Sequence, residues 1–388
     1  MALFVIPAFP ATTEAETSLF PENLGSVQAH LKPGEAILEY SLSDSALQVY
    51  AITREIAVNT SQTLAPLFWN SLKFFEEKLK TADHRDLIVQ GEILYLFLVK
   101  PVQNFLGGIR RLIIIPGARL SGFPFETLVK NESSTAGRPV AARHFLVIDY
   151  EIVYHHSSID WCEKMACPIK NPDLLRDESV ISFLGCSPAF AGNGVIPSLP
   201  EAKHEIDAIS ELFCEKGLSP QKVCDGPGGK DCFKSKAGFG KIVHLATHYL
   251  QDASGGGVTG FVFPGNGLSG EQNQDPNEVL TLEEIAGMRL KADLIVLSTC
   301  GAGRNRNDGR QQEESMPGVF FAAGARNVLS ALWNVTDKLA KEFMLDFYRQ
   351  WLSGKTYSEA LREVKLQWIS CRETALPTIW APYVLTGE

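Results

Sequence analysis

The sequence predicts an α/β protein with a mostly parallel sheet covered by helices on both faces, preceded by an N-terminal α+β segment. Three observations carry this. Downstream of residue 175 the apolar runs "VISFLG", "KIVHLAT", "ADLIVLST" and "NVLSALW" alternate with helical patterns. Strands this continuously apolar belong to sheets buried on both faces. Upstream, "AILEYSLSDSALQVYAITREIAVNT" alternates apolar and polar residues around an "SDS" turn, the mark of antiparallel strands. The 388 residues give enough chain for two or three units of domain size.

In chain order, residues 1–30 are rich in Pro, Thr, Ala and Glu and read as an arm. The antiparallel strands follow. "LAPLFWNSLKFFEEKLKTA" then places Leu64, Leu67, Phe68, Leu72, Phe75 and Leu79 at helical spacing. A second helix around "EILYLFLVKPVQNFL" leads into a short β-rich run that stops at Pro116 and Gly117. Polar and Pro residues cluster in "CPIKNPDLLRDES", which sets the main boundary near residue 175. The expected organisation is therefore an arm over 1–30, an α+β subdomain over 31–175 and an α/β subdomain over 176–388. In the last of these, "VISFLG" leads to the helix "LPEAKHEIDAISELFCEKG", ended by Gly217 as its C′ residue. A weak strand at Lys222 to Cys224, a Gly-rich turn and the strand "KIVHLAT" come next, then a hairpin in "GGGVTGFVFPGNG". Thr281 with Glu284, and Thr356 with Glu359, have capping-box spacing and mark two helix starts.

Composition narrows the function. Hydrophobic residues at 45% and charged residues at 21% suit a soluble globular chain. No apolar run approaches the roughly 20 residues that span a bilayer. The N-terminus carries no Lys or Arg before Lys32, so it lacks a secretory n-region. A soluble, cytoplasmic protein is expected. The net charge of −9 and the lack of a basic stripe argue against a nucleic-acid partner. The eight cysteines contain no C-x-x-C pair, which leaves no zinc-ribbon spacing. Without a secretory signal most should be buried thiols, not a disulfide framework.

Two strands end in reactive residues. "KIVHLAT" runs into His248 and "ADLIVLST" into Cys300, a separation of 300 − 248 = 52 residues with the histidine first. That order and spacing match the caspase arrangement. In open α/β sheets ligands gather beyond the carboxyl ends of the strands, where both residues fall. A thiol with a pKa near 8.5 is only a few per cent thiolate at pH 7, so a neighbouring imidazole is the natural activator. Gly301, Ala302 and Gly303 are small enough to let a substrate backbone approach, and they leave the Cys300 amide to face an oxyanion. The following loop, "GRNRNDGRQQEES", is polar, as a gating loop would be. His244, four residues before His248, is assigned a structural role. A metal pair would call for H-E-x-x-H on a helix, and Leu245, Ala246 and Thr247 supply no general base.

The blocks "RLIIIPGARLSGFPFETL", "SLPEAKHEIDAISELF", "IVHLATH", "LIVLSTCGAG", "GVFFAAGARNVLSALWNVTD" and "IWAPYVLTG" resemble, in order and rhythm, the CHAT domains. These are caspase-like cysteine peptidases related to separases and often fused to TPR repeats. The resemblance runs from about Leu31 to the C-terminus. It implies a caspase-like three-layer α/β/α sandwich with an N-terminal pseudo-caspase-like subdomain packed against it. His248 is then the base, Cys300 the nucleophile, and the backbone amides of Tyr249 and Cys300 the oxyanion donors, with no metal and no cofactor.

Two departures stand out. Tyr249 replaces the glycine common after the histidine and is a candidate gate, and "STCGAG" replaces S-A-C-x-T-G. Glu126 in "PFETL", Asp252, Trp333 and Asp337 are candidates for the substrate pocket, an acidic residue there favouring a basic P1 side chain. Glu126 is also placed to hold a turn, and Thr336 or Asp337 to cap the helix "KLAKEFMLDFYRQWL". Trp351 and Trp368 sit at helical spacing and read as core. The resemblance implies a protein substrate, an activating or regulatory protein subunit, and a regulated cleavage in a bacterial defence pathway. The alternatives are a silent CHAT-like interaction or signalling module whose cleft Tyr249 closes, and a metal-dependent hydrolase built on His244 and His248.

Overall fold

A computed structural model describes residues 24–79, 84–130, 143–166, 180–188, 199–223, 229–250, 259–263, 279–298, 316–371 and 373–388. The chain divides into two compact units, residues 1–169 with 369–378, and residues 170–368 with 379–388.

The first unit contains α1 (Leu24–His30), β1 (Glu35–Leu42), β2 (Ala46–Thr53), β3 (Ala57–Thr63), α2 (Pro66–Lys78), α3 (His84–Leu98), β4 (Arg111–Ile115), α4 (Leu146–Asp149), β5 (Glu151–Tyr154) and α5 (Ser158–Ala166). Its strands run in the order β3-β2-β1-β4-β5. The expected hairpin is β1–β2, antiparallel from Leu42↔Leu47 to Ala36↔Thr53, and β3 extends it as a third antiparallel strand. β4 pairs in parallel with both β1 and β5. β4 stops where Pro116 removes a ladder donor and Gly117 turns at φ 64. A Cβ at Gly117 would lie 2.6 Å from the Tyr40 carbonyl oxygen, so this turn requires glycine.

The second unit contains β6 (Ile181–Cys186), α6 (Pro200–Glu215), β7 (Pro220–Val223), α7 (Gly229–Ala237), β8 (Gly240–Leu245), β9 (Tyr249–Leu250), β10 (Gly260–Val262), β11 (Val279–Thr281), α8 (Leu282–Ala286), β12 (Leu294–Leu297), α9 (Met316–Ala322), β13 (Val328–Ala331), α10 (Asp337–Leu352), α11 (Tyr357–Ser370) and β14 (Tyr383–Thr386). The main strands run β14-β13-β12-β8-β6-β7, all parallel except β14 against β13.

Strand alternation explains the layers. Phe183 of β6 and His244 of β8 face α6 and α10, where Phe183 lies 4.8 Å from the Phe213 ring and edge-on to Tyr348 at 5.7 Å. The alternate residues Leu184, Val243, Leu245, Ile295 and Leu297 face the other way and share a core with Phe233 of α7, Ile285 of α8 and Phe320 of α9. Each such fully buried side chain contributes roughly 1.5–3 kcal/mol, so both helix layers are held by the sheet they cover. This is the mostly parallel sheet between helices that the sequence predicts.

Several local expectations change. Residues 224–228 of the Gly-rich turn lie outside the described residues, and a helix not expected from the sequence, α7, stands between that turn and β8. β8 ends at Leu245, two residues earlier than "KIVHLAT" suggests. Of "GGGVTGFVFPGNG", where a hairpin is expected, only Thr259–Phe263 lie within the described residues, and there β10 pairs antiparallel with β9 on one side and β11 on the other. Both capping boxes form: Thr281 Oγ1 accepts from the Glu284 amide at 3.2 Å, and Thr356 Oγ1 from the Glu359 amide at 3.2 Å. Gly217 is the expected C′ residue at φ 70. Cys186 departs from the expectation of buried thiols, because it is disulfide-bonded. Cysteine spacing in the chain carries no signal of this bond. Among the described residues no helix is long and apolar enough to cross a membrane.

Candidate active site

The parallel strands of the second unit end along one edge. Leu245 of β8 is level with Cys186 of β6 and with Leu297 of β12, and Leu297 is level with Ser330 of β13. The residues just past those ends line a cleft. Thr247 and His248 enter from β8, Ser298 from β12, Trp333 from β13, Glu205 from α6 and Asp337 from the first turn of α10.

His248 is positioned by its backbone. The Ala246 amide donates to the Cys186 carbonyl at 2.9 Å, which carries the chain straight off β8. The Thr247 hydroxyl donates to the Val262 carbonyl at 2.7 Å, and the Val262 amide donates back to the His248 carbonyl at 2.9 Å. The Ser298 amide donates to the Leu245 carbonyl at 2.9 Å, so the exits of β8 and β12 are tied side by side. Cys300 follows Ser298 by two positions in the chain (300 − 298) and, with Asp252, lies outside the described residues.

Asp337 meets the cleft as a perturbed carboxyl. Burial raises it above the usual carboxylate range, the His248 imidazole pulls the other way, and Glu205 and Glu201 add to the rise. Asp337 and His248 are therefore electrostatic neighbours within one cleft. Thr336 occupies the N-cap position of α10 without a side-chain cap bond, so Asp337 opens the helix and places its carboxyl at the positive end of the dipole. Trp333 is half-buried in the cleft wall.

Glu126 lies in the first unit, 1% exposed, and accepts a 2.5 Å hydrogen bond from the Tyr154 hydroxyl. The Phe125 amide donates to that same hydroxyl at 2.9 Å, so Glu126 holds the turn around Phe125. Tyr249 opens β9, and its ring packs 5.3 Å from that of Phe261, against the core shared with α7, α8 and α9.

The two histidines of "KIVHLATH" occupy different environments. His244 is 0% exposed, with Nδ1 3.1 Å from the Tyr348 hydroxyl. Its Nε2 lies 2.8 Å from Glu205 Oε1, and neither atom meets hydrogen-bond geometry there. Burial raises Tyr348 well above the usual phenol range, and Glu205 adds to this. His244 is thus a core residue wedged between α6 and α10, while His248 reaches the cleft. Among the described residues no group of three or more His, Cys, Asp or Glu is arranged to hold a metal. Glu205, Thr247 and Ser298 belong to the cleft without having been singled out in the sequence. Only the position of Thr247 and Ser298 just past strand ends hinted at them, and nothing local marked Glu205, which arrives on a helix.

The fold is an α/β one, a mostly parallel sheet between helix layers. The CHAT domain family model matches residues 90–388, and the chain belongs to that family. Among curated proteins it is 34% identical over 330 residues to mouse Tetratricopeptide repeat protein 28, covering 76% of this chain and 13% of that protein. It is 31% identical to human Tetratricopeptide repeat protein 28 over 112 residues, 28% of this chain and 4% of that one. The chain thus spans only a small fraction of these relatives. Two crystal structures of the Saccharomyces cerevisiae separase–securin complex, at 3.0 and 2.6 Å, share the fold at TM-scores of 0.55 and 0.53 with 11% identity. They cover 94% and 93% of this chain and 30% of the separase chain.

Proposed function

We propose that this chain is a cysteine endopeptidase using His248 and Cys300. One observation carries the reading: β8 and β12 lie side by side in parallel, and the residues leaving them, His248 and Ser298, line the same cleft. In the proposed cycle His248 takes the Cys300 proton, and the thiolate attacks the scissile carbonyl carbon. The amides of Cys300 and Tyr249 serve the resulting oxyanion. His248 then gives its proton to the leaving amine as the C–N bond breaks, which leaves a thioester. Water, deprotonated by His248, hydrolyses the thioester and restores the thiol.

Asp337 and Trp333 are the pocket residues this cleft supports, with Asp337 favouring a basic P1 side chain. Asp252 stays in the proposal on its sequence position alone. Glu126 is better accounted for by Tyr154. No metal or cofactor is invoked. Residues 31–175 act as the supporting subdomain and 176–388 as the catalytic one, in a cytoplasmic protein controlled by a regulatory partner. The separase structures, solved as complexes with securin, support the idea of such a partner. The relatives compared are mammalian, so the bacterial defence setting rests on the resemblance alone. The packing of the Tyr249 ring on Phe261 supports the peptidase reading over the alternative of a silent module whose cleft Tyr249 closes.

The test is cleavage of a peptide library and candidate proteins by wild type, Cys300→Ala and His248→Ala. Wild type should cleave, and each variant should lose about three or more orders of magnitude in kcat. A wild-type chain that cleaves nothing, even with its regulatory partner present, overturns the peptidase reading.

A further inference from the structure

Thr247 is 2% exposed, and its hydroxyl is committed to the Val262 carbonyl at 2.7 Å. The Val262 amide is committed to the His248 carbonyl at 2.9 Å. Two consecutive residues past β8 thus grip both backbone polar groups of a single residue in β10. That residue cannot drift: Val262 is 2% exposed, Phe261 and Phe263 beside it are 0% and 1% exposed, and Val262 is paired with Val279 of β11. The clamp is local, buried and aimed at the backbone of the residue that carries the imidazole.

We propose that Thr247 is a positioning residue for His248, fixing the imidazole relative to the cleft by locking its backbone to the small sheet β9–β10–β11. This deepens the peptidase reading and rests on it for its catalytic consequence. Thr247 touches no substrate. It acts through Val262 on the φ/ψ of His248, and a shift of about 1 Å in a catalytic group can cost about a hundredfold in rate. The hydroxyl is the essential feature: serine retains it, whereas valine keeps the shape and loses the donor.

The experiment compares Thr247→Ser, Thr247→Val and wild type in peptide cleavage, in hydrogen exchange of the Val262 amide, and in the NMR titration of the His248 ring. Thr247→Val should lose about ten- to a hundredfold in kcat with KM within about twofold. Its Val262 amide should exchange faster and its His248 titration should shift. Thr247→Ser should stay within about threefold of wild type on every readout. If Thr247→Val does not fold, Thr247→Ala against Thr247→Ser makes the same comparison. A Thr247→Val protein with wild-type kcat, exchange and titration overturns the proposal, as does a Thr247→Ser protein as impaired as Thr247→Val. If wild type cleaves nothing, the peptidase reading fails, and exchange and titration alone still decide whether Thr247 positions His248.

Discussion

Charged and polar side chains in this fold sort by what reaches them. His244 and His248 are four residues apart, yet one is sealed against Tyr348 and Glu205 while the other lines a cleft. The difference arises because β8 ends at Leu245, so His244 belongs to the sheet and His248 does not. His244→Ala would leave the Glu205 carboxyl and the Tyr348 hydroxyl facing a cavity. The unmet Tyr348 hydroxyl and the lost volume together should cost about 2–4 kcal/mol. Urea unfolding should show that loss, and an unchanged midpoint would mean the contacts carry no stability. Glu205 is the residue that links the two histidines' surroundings, since it touches His244 and also lines the cleft with His248.

At the scale of elements, periodicity made the apolar strands and amphipathic helices legible. β6, β8, β12 and β13, α6 and α10, and both capping boxes follow from residue spacing alone. The elements that escaped are those with weak or short patterns. α7, "GKDCFKSKA", is too polar for a helical stripe to show, and β9, β11 and β14 span two to four residues. The cleft was half legible. Strand-end positions pointed to His248, but no local signal shows that α6 brings Glu205, or that Val262 returns to clasp Thr247, because those are long-range pairings.

One missed element supplies a test. Burial works to raise Glu284, but Lys230 of α7 at 2.8 Å and Lys234 at 2.9 Å, with the Thr281 amide, hold it down at about 2. A carboxyl depressed in the folded state gives stability that is present above its unfolded pKa and is lost as pH falls through its folded one. Glu284 should therefore stabilise the α7–α8 pair above about pH 4.5 and lose that effect toward about pH 2. Thermal melts of wild type and Glu284→Gln should differ at pH 6 and converge near pH 2. Parallel curves across that range would remove the ion pairs from the account. The size of the effect is small, because both partners are partly exposed.

For the whole molecule, charge and family membership set the setting. A net charge of −9 without a basic stripe predicts no stable complex with DNA or RNA in a gel-shift assay at physiological salt. A salt-sensitive shift would contradict that. Family membership fixes the fold more firmly than the activity, because a CHAT domain match and an 11% identical separase fold describe architecture. The step from architecture to chemistry rests on the proposed pairing of His248 with Cys300.

That pairing is tested most directly by the pH dependence of Cys300 alkylation, read by mass spectrometry in wild type and His248→Ala. With His248 as its activator, Cys300 should react well below pH 7, with an inflection under the ordinary thiol pKa of about 8.5, and His248→Ala should restore that ordinary profile. Identical profiles in the two proteins would contradict the account at its centre.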